Sequence, residues 1–268
     1  MSAPPRLIVT RPAKEAQAWV DDLRGLGFDA VALPLIAISP VRQAAALLEA
    51  WHSLGTFDAV MFVSGNAVSH FFDHRPRDWS GPFADFPGAP RAWVTGPGSR
   101  AALLACGVST EGVDSPPSEG SQFDSEALWR AVRHRVVPGY RVLIVRGWAE
   151  TSDPSPQGVG RDWFAQQCEA AGGTVQFVVA YERRAPVWDL SQREWVGQAA
   201  RDGSVWIFSS AEALGNLERA VTQQNWAQAR AVATHPRIAE AARRAGFGSV
   251  TESRPLLSEV VASIESTR

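Results

Sequence analysis

Lysine is almost missing from this chain: Lys14 is the only one among 26 basic residues. Schiff-base and pyridoxal mechanisms need a lysine in the site, and Lys14 stands among polar residues at a helix start, so that class is disfavoured. Cysteine is nearly as scarce, at 2 residues. Cys106 and Cys168 each fall inside a helical pattern. They are expected as small buried residues of a reduced, cytoplasmic protein, with neither a disulfide frame nor a thiolate metal site. Net charge is only −2, which gives no argument for nucleic acid or an anionic membrane as partner. Long apolar runs are lacking too. "VALPLIAI" (31–38) is far too short to span a bilayer, and "MSAPPRLIVT" lacks the basic and apolar regions of a signal peptide.

The common catalytic fingerprints are likewise missing. Gly96-Pro97-Gly98 lacks the third glycine of a dinucleotide loop, and no Gly-Lys-Ser/Thr occurs. No Gly-x-Ser-x-Gly elbow anchors a hydrolase triad. His70 and His74 in "HFFDH" share one helix face but lack the glutamate of a zinc protease helix. No metal and no cofactor are expected.

What the sequence does have is alternation and self-similarity. Its 268 residues, 45% hydrophobic, suit two modest domains or one large one. Short β-branched runs at 7–10, 58–63, 92–95, 142–145, 204–208 and 230–233 each precede a helix-like stretch: 13–26, 66–72, 99–106, 161–171, 211–221 and 237–245. Strands alternating with helices predict parallel sheets covered on both faces. Glycines at 27, 107, 172 and 246 stand where helices should stop.

The two halves match in order. "VTGPGSRAALLACG" (94–107) aligns with "ATHPRIAEAARRAG" (233–246), each proline preceding its glycine by the same interval. "FVSGNAV" (62–68) aligns with "FSSAEAL" (208–214), "RLIVTR" (6–11) with "RVLIVR" (141–146), and the run after Gly27 with the run after Gly173. Such self-similarity predicts a duplicated unit. Two runs break the alternation, "FDAVALPLIAISPV" (28–41) and "TVQFVVAYERRAPVW" (174–188). Both are long and extended, at equivalent places in the repeat, and could form a two-stranded linker. The predicted domains are therefore a discontinuous one, 1–36 plus 183–268, and an inserted one, 37–182. Loops at 114–123 and 149–160, rich in Ser, Pro and Gly, should lie near the carboxyl edge of a sheet, where ligands bind in such folds.

Candidate chemistry collects where strands give way to helices. Thr10 and Arg11, Ser64 and Asn66, Thr95, Gly96 and Ser99, Arg146 and Gly147, Ser209 and Ser210, and Thr234 and His235 all occupy such corners. Helix N-terminal amides there can bind anions. Capping alone explains any single corner; six, paired by the repeat, make an anion-binding cleft competitive. His235 could do proton work or stand exposed. Tyr181, one of 2 tyrosines, is expected to end the strand formed by the second long run. Its phenol could donate a proton to a leaving group or merely plug the linker.

Taken together, "VTRP", "FVSGNAV", "VTGPGSRAALLACG", "SEALW" (125–129), "VLIVRG", "GRDWF" (160–164), "VAYERR", "IFSSAEAL" and "ATHPRIAEAARRAGF" resemble the uroporphyrinogen-III synthase family over essentially the whole chain. The resemblance implies two flavodoxin-like α/β domains, the first discontinuous, joined by a two-stranded β linker. It implies a cofactor-independent, cyclising hydro-lyase that converts hydroxymethylbilane, a linear tetrapyrrole with eight carboxylates, into uroporphyrinogen III. The last ring is inverted through a spiro intermediate and water is lost. It also implies a transient contact with the preceding enzyme of the pathway. The family's cleft tyrosine falls on Tyr181, its corner serines on Ser64 and Ser210, and a further hydroxyl on Ser99. The repeat partner of Ser99 is Ile238, which departs from a symmetric pattern; Thr234, His235 and Arg237 are the polar residues nearby. A two-domain protein that binds an anionic small molecule without chemistry would use the same fold and corners. A flavodoxin-like regulatory domain is weaker, for want of a phosphorylatable aspartate at a strand end.

Overall fold

A computed structural model describes residues 5–77, 79, 83, 89–117, 123–149 and 162–266. Much of the two Ser/Pro/Gly loops, 118–122 and 150–160, lies outside the described residues. The strands are β1 (Leu7–Val9), β2 (Ala30–Ala32), β3 (Ala37–Pro40), β4 (Ala59–Phe62), β5 (Arg91–Val94), β6 (Val113–Asp114), β7 (Arg141–Ala149), β8 (Thr174–Arg184), β9 (Val205–Phe208), β10 (Arg230–Ala233) and β11 (Ser249–Glu252). The helices are α1 (Ala13–Gly25), α2 (Ala45–His52), α3 (Gly65–Asp73), α4 (Pro97–Ala105), α5 (Ser125–Val132), α6 (Asp162–Ala170), α7 (Leu190–Ala199), α8 (Ala211–Ala220), α9 (Pro236–Arg244) and α10 (Leu257–Glu265). No helix of the described residues is long and apolar enough to cross a membrane.

Two compact units result, Met1–Ile38 with Arg184–Arg268, and Ser39–Arg183. The first holds a five-stranded sheet in the order β2-β1-β9-β10-β11, with all pairs parallel. That is the flavodoxin-like order, whose direction of winding reverses between β1 and β9. The second holds a six-stranded sheet, β3-β8-β7-β4-β5-β6. Its β8-to-β6 portion is parallel throughout and reverses between β7 and β4. Strands matched in sequence hold matching places: β7 and β8 stand where β1 and β2 do, and β4 and β5 where β9 and β10 do.

The first long run departs from expectation. Residues 28–41 form two short strands, not one: β2 belongs to the five-stranded sheet and β3 lies beside β8. Pro34, which has no N–H to donate, interrupts the run. Leu33 and Leu35 still donate to the carbonyls of Val9 and Thr10, at 2.9 and 3.3 Å, before the chain leaves β1.

Strand alternation sorts the first unit's core onto both sheet faces. Leu7, Val9, Val205 and Ile207 pack with Val20 and Leu23 of α1 and Val260 and Ile264 of α10. Ile8, Trp206 and Phe208 face the other way, with Val196, Leu214, Leu217, Trp226 and Phe247. In the second unit, Met61, Trp93 and Ile144 pack with Leu128 and Phe164, while Phe62 meets Phe71 edge-on at 5.6 Å between ring centroids. Burying each such large side chain stabilises by about 1.5–3 kcal/mol.

Helix ends follow the sequence signals. Gly107 and Gly246, at φ +85° and +92°, close α4 and α9 in the left-handed region that only glycine enters without strain. The cysteines form no disulfide. Burial, and secondarily Glu169, push the Cys168 thiol up to about 12, so its thiolate is disfavoured. Alkylation of the native protein at mildly alkaline pH should therefore modify Cys106 and spare Cys168. A Cys168 adduct formed before unfolding, read by peptide mass, would contradict this.

Candidate functional site

In the second unit the winding reverses between β4 and β7, the position where such sheets take ligands; β4 ends beside Val145, and β7 runs on to Ala149. At the end of β4 the chain is extended at Ser64 and then enters α3. The Ser64 hydroxyl accepts the Ala67 N–H at 3.1 Å, capping α3. The same oxygen lies 3.0 Å from the phenol oxygen of Tyr181, so cap and phenol are tied together.

Tyr181 reaches this place through an irregularity in strand pairing. Along β7 and β8, Arg146 pairs with Val179 but Gly147 pairs with Tyr181, leaving Ala180 as an extra residue. A bulge of this kind re-aims the side chains that follow it. The Tyr181 ring is 3% exposed and lies directly against Gly147. A Cβ added at Gly147 would stand 2.5 Å from the phenol-bearing carbon of that ring, so only glycine fits. On α3 the imidazole of His70 stacks with the tyrosine ring, at 5.7 Å between centroids and 21° between planes.

Its neighbours complete this edge. Asn66 is half-buried in the first turn of α3. Thr95 follows β5, Gly96 is the N-cap of α4 with Pro97 at its first position, and Ser99 is buried in its first turn. Arg146 is turned inward: it is 2% exposed, and its guanidinium lies 3.9 Å from the Phe177 ring centroid.

The first unit has its own edge at the β1–β9 reversal. The Thr10 hydroxyl donates to the Ile207 carbonyl at 2.6 Å, alongside the Thr10 N–H at 3.3 Å, and so fastens β1 to β9. Arg11 lies over Trp19, 4.4 Å from its ring centroid. Burial lowers the Arg11 pKa, with Glu15 pulling the other way. Ser210 accepts the Glu212 N–H at 3.2 Å and caps α8. Thr234 is buried. His235 caps α9 with its ring: Nδ1 accepts the Arg237 N–H at 3.1 Å, where the matching corner has Gly96 and no side-chain cap. Ile238, the partner of Ser99, is buried in the hydrophobic core. Ser209 is distinct. Among the described residues its hydroxyl oxygen, like that of Ser204, is buried with no hydrogen-bond partner, a state that costs about 1–3 kcal/mol unless a ligand supplies the partner.

The structure thus brings Ser64, Gly147 and Tyr181 into one cluster and adds His70, which sequence pattern raised only as a metal ligand. Among the described residues no group of three or more His, Cys, Asp and Glu side chains could hold a metal ion. The one cue to His70 was its place on the helix that starts at the Ser64 corner.

The family model described as "Uroporphyrinogen-III synthase HemD" matches residues 17–262. The uroporphyrinogen-III synthase of Salmonella typhimurium is 27% identical over 248 residues, 91% of this chain and 93% of that protein. That of Synechococcus elongatus is 29% identical over 185 residues, 67% and 61% of the two chains. Among solved structures, the Helicobacter pylori uroporphyrinogen-III synthetase matches at a TM-score of 0.58 and 13% identity, over 98% of this chain and 100% of that one. A mutant Thermus thermophilus uroporphyrinogen III synthase matches at 0.56 and 16% identity, over 98% of each chain. The structural likeness speaks for the fold.

Proposed function

Because the chain belongs to the uroporphyrinogen-III synthase family, cyclising lyases of heme and tetrapyrrole biosynthesis, we propose that it closes hydroxymethylbilane to uroporphyrinogen III with Tyr181 as the proton donor and without a cofactor. One observation carries the assignment of the acid: the phenol hydroxyl of Tyr181 lies 3.0 Å from the Ser64 oxygen, at the corner where β4 ends beside β7. The Tyr181 O–H gives its proton to the hydroxyl on the bilane's terminal carbon. The carbon–oxygen bond breaks, water leaves, and the cation is delocalised onto the adjacent pyrrole nitrogen. Attack by the last ring forms the spiro carbon. The bond from the spiro carbon to its original methylene then breaks, leaving a second pyrrole-stabilised cation; the free α-carbon of the turned ring bonds to that methylene, and the proton lost from this α-carbon restores the phenol. The driving force comes largely from the pyrrole; the chain supplies a positioned acid and a shaped surface.

Eight carboxylates need counter-charge, and corner amides at Ser64, Gly96, Ser210 and His235 offer it in small shares of about 0.3–1 kcal/mol per helix N-terminus. The buried Ser209 hydroxyl supports a share for the first unit. Ser209→Ala should leave unfolding free energy unchanged or slightly raised, since an unsatisfied polar atom is removed, while KM rises. A stability loss comparable to that of a cap deletion would mean that the hydroxyl is already satisfied inside the fold.

Ser64→Ala should cost about 1 kcal/mol of stability through the lost cap and lower turnover only severalfold, because Gly147 and His70 still hold the tyrosine ring. Complete loss of activity in a folded protein would mark Ser64 as a dedicated catalytic group. The decisive assay supplies freshly made hydroxymethylbilane, with and without chelator, and separates isomers I and III. Isomer III in both conditions is expected; isomer I alone, the product of closure without inversion, would end the proposal. The same proposal includes a cytoplasmic setting and direct receipt of the reactive bilane from the enzyme that makes it. Faster isomer III formation in a coupled reaction than from added bilane is the check on that hand-over.

A further inference from the structure

The Tyr181 ring is held by more than its hydroxyl. The imidazole of His70 stacks on it at 5.7 Å and 21°, with the His70 side chain itself only 17% exposed. The backbone of Gly147 lies against the phenol-bearing end, so close that a methyl group there would collide with three ring carbons, at 2.5, 2.6 and 3.0 Å. The bulge at Ala180 sets Tyr181 opposite Gly147 in the first place. These contacts come from α3 and β7, and the Ser64 hydroxyl at the phenol oxygen comes from the β4 corner. A ring held on its face, at its tip and at its hydroxyl keeps little freedom.

From this we infer that His70 and Gly147 are positioning residues for the Tyr181 phenol, His70 by stacking on the ring and Gly147 by leaving the space the ring occupies. The inference rests on Tyr181 being the acid of the reaction proposed above. It assigns no proton transfer to His70. The stack is a shape contact, so an apolar ring serves there as well as an imidazole.

Kinetics and spectroscopy together test it. His70→Ala should lower kcat about tenfold, the scale of one lost aromatic contact, with KM little changed; His70→Phe should restore most of that loss. Gly147→Ala should displace the ring and lower kcat about a hundredfold, as misplacement of a catalytic group by roughly 1 Å does. In a Tyr181→Phe background, which lacks the proton to be positioned, His70→Ala should cost nothing further. An equal loss in both backgrounds, or no rescue by His70→Phe, overturns the inference, because His70 would then act on substrate directly.

The second arm needs no turnover. The chain has 2 tyrosines, Tyr140 and Tyr181, so meta-fluorotyrosine labelling gives a two-line fluorine NMR spectrum that Tyr140→Phe assigns. His70→Ala should move the Tyr181 line and leave the Tyr140 line in place; an unmoved Tyr181 line overturns the inference even if Gly147→Ala fails to fold. A moved line in a protein that makes no isomer III supports the ring's placement and overturns the proposed reaction instead.

Discussion

Tyr181→Phe should lower kcat on hydroxymethylbilane by about 10²-fold while leaving KM and the isomer III product unchanged. General acids contribute about 10²–10⁴-fold, and the low end applies because the pyrrole nitrogen already stabilises the cation left behind. Phenylalanine keeps the ring against Gly147 and His70, and Ser64 keeps its cap bond to Ala67. The stability change should therefore stay within about 1 kcal/mol, the net worth of one hydrogen bond. Product identity should persist because the shape of the surface, not the phenol, selects the carbon attacked. Rates equal to wild type would remove Tyr181 from the mechanism. A switch to isomer I would mean that the hydroxyl also helps to hold the last ring.

Trp206→Ala should produce the largest loss of stability, about 3–5 kcal/mol, the range for truncating a buried aromatic. The side chain is fully buried and touches Trp226 edge-on at 5.3 Å between centroids, with Phe208 and Phe247 at 6.3 and 6.4 Å. Its neighbours are large and rigid, so the hole cannot collapse far. Thr10, Ser209, Ser210, Thr234 and His235 all belong to this unit, so activity should fall in step with the unfolded fraction in urea. A loss below about 1 kcal/mol would place the site among those that repack readily. Residual activity well beyond the unfolding transition would instead sever activity from this unit.

Sequence pattern found the elements whose signals are strong and missed those whose signals are physically weak. Buried central strands such as Val205–Phe208 announce themselves as apolar runs. β6 is two residues long and β11 has no fully buried residue, so neither carries a run to detect. α2 and α10 begin without a side-chain cap, at Ala44 and Leu256, which removes the usual start mark. α7 is different: its Asp189–Gln192 capping box was in plain view. Ser64 was visible as a corner residue; Arg146 and Gly147, expected at a corner, and Tyr181, expected at a strand end, lie inside β7 and β8, because the extended pairing of those two strands runs on past the end of β4. The convergence of Ser64, Gly147 and Tyr181 was not visible, because Ser64 and Tyr181 are 117 residues apart in sequence and the extra residue at Ala180 shifts the phase of β8. The stack of His70 on Tyr181 is a ring-on-ring relation with no spacing rule to reveal it.

The order of strands in the first unit has a bearing on how the chain acquires its fold. β1 is made early, yet its partner β9 comes much later: Thr10 bonds to Ile207, 197 residues onward. The intervening Ser39–Arg183 segment has its own sheet and core. Closing so long a loop as open coil is entropically unfavourable, and chains of this size fold part by part during synthesis. The inserted unit should therefore condense before β1 meets β9, shortening the loop to be closed; protection of β1 amides ahead of those of β4 in pulse-labelled refolding would contradict this. Slow-translating stretches would matter most between Arg184 and Ala233, where the waiting strands meet their partners, and a destabilised insert would be felt first as a delay in completing the unit that surrounds it.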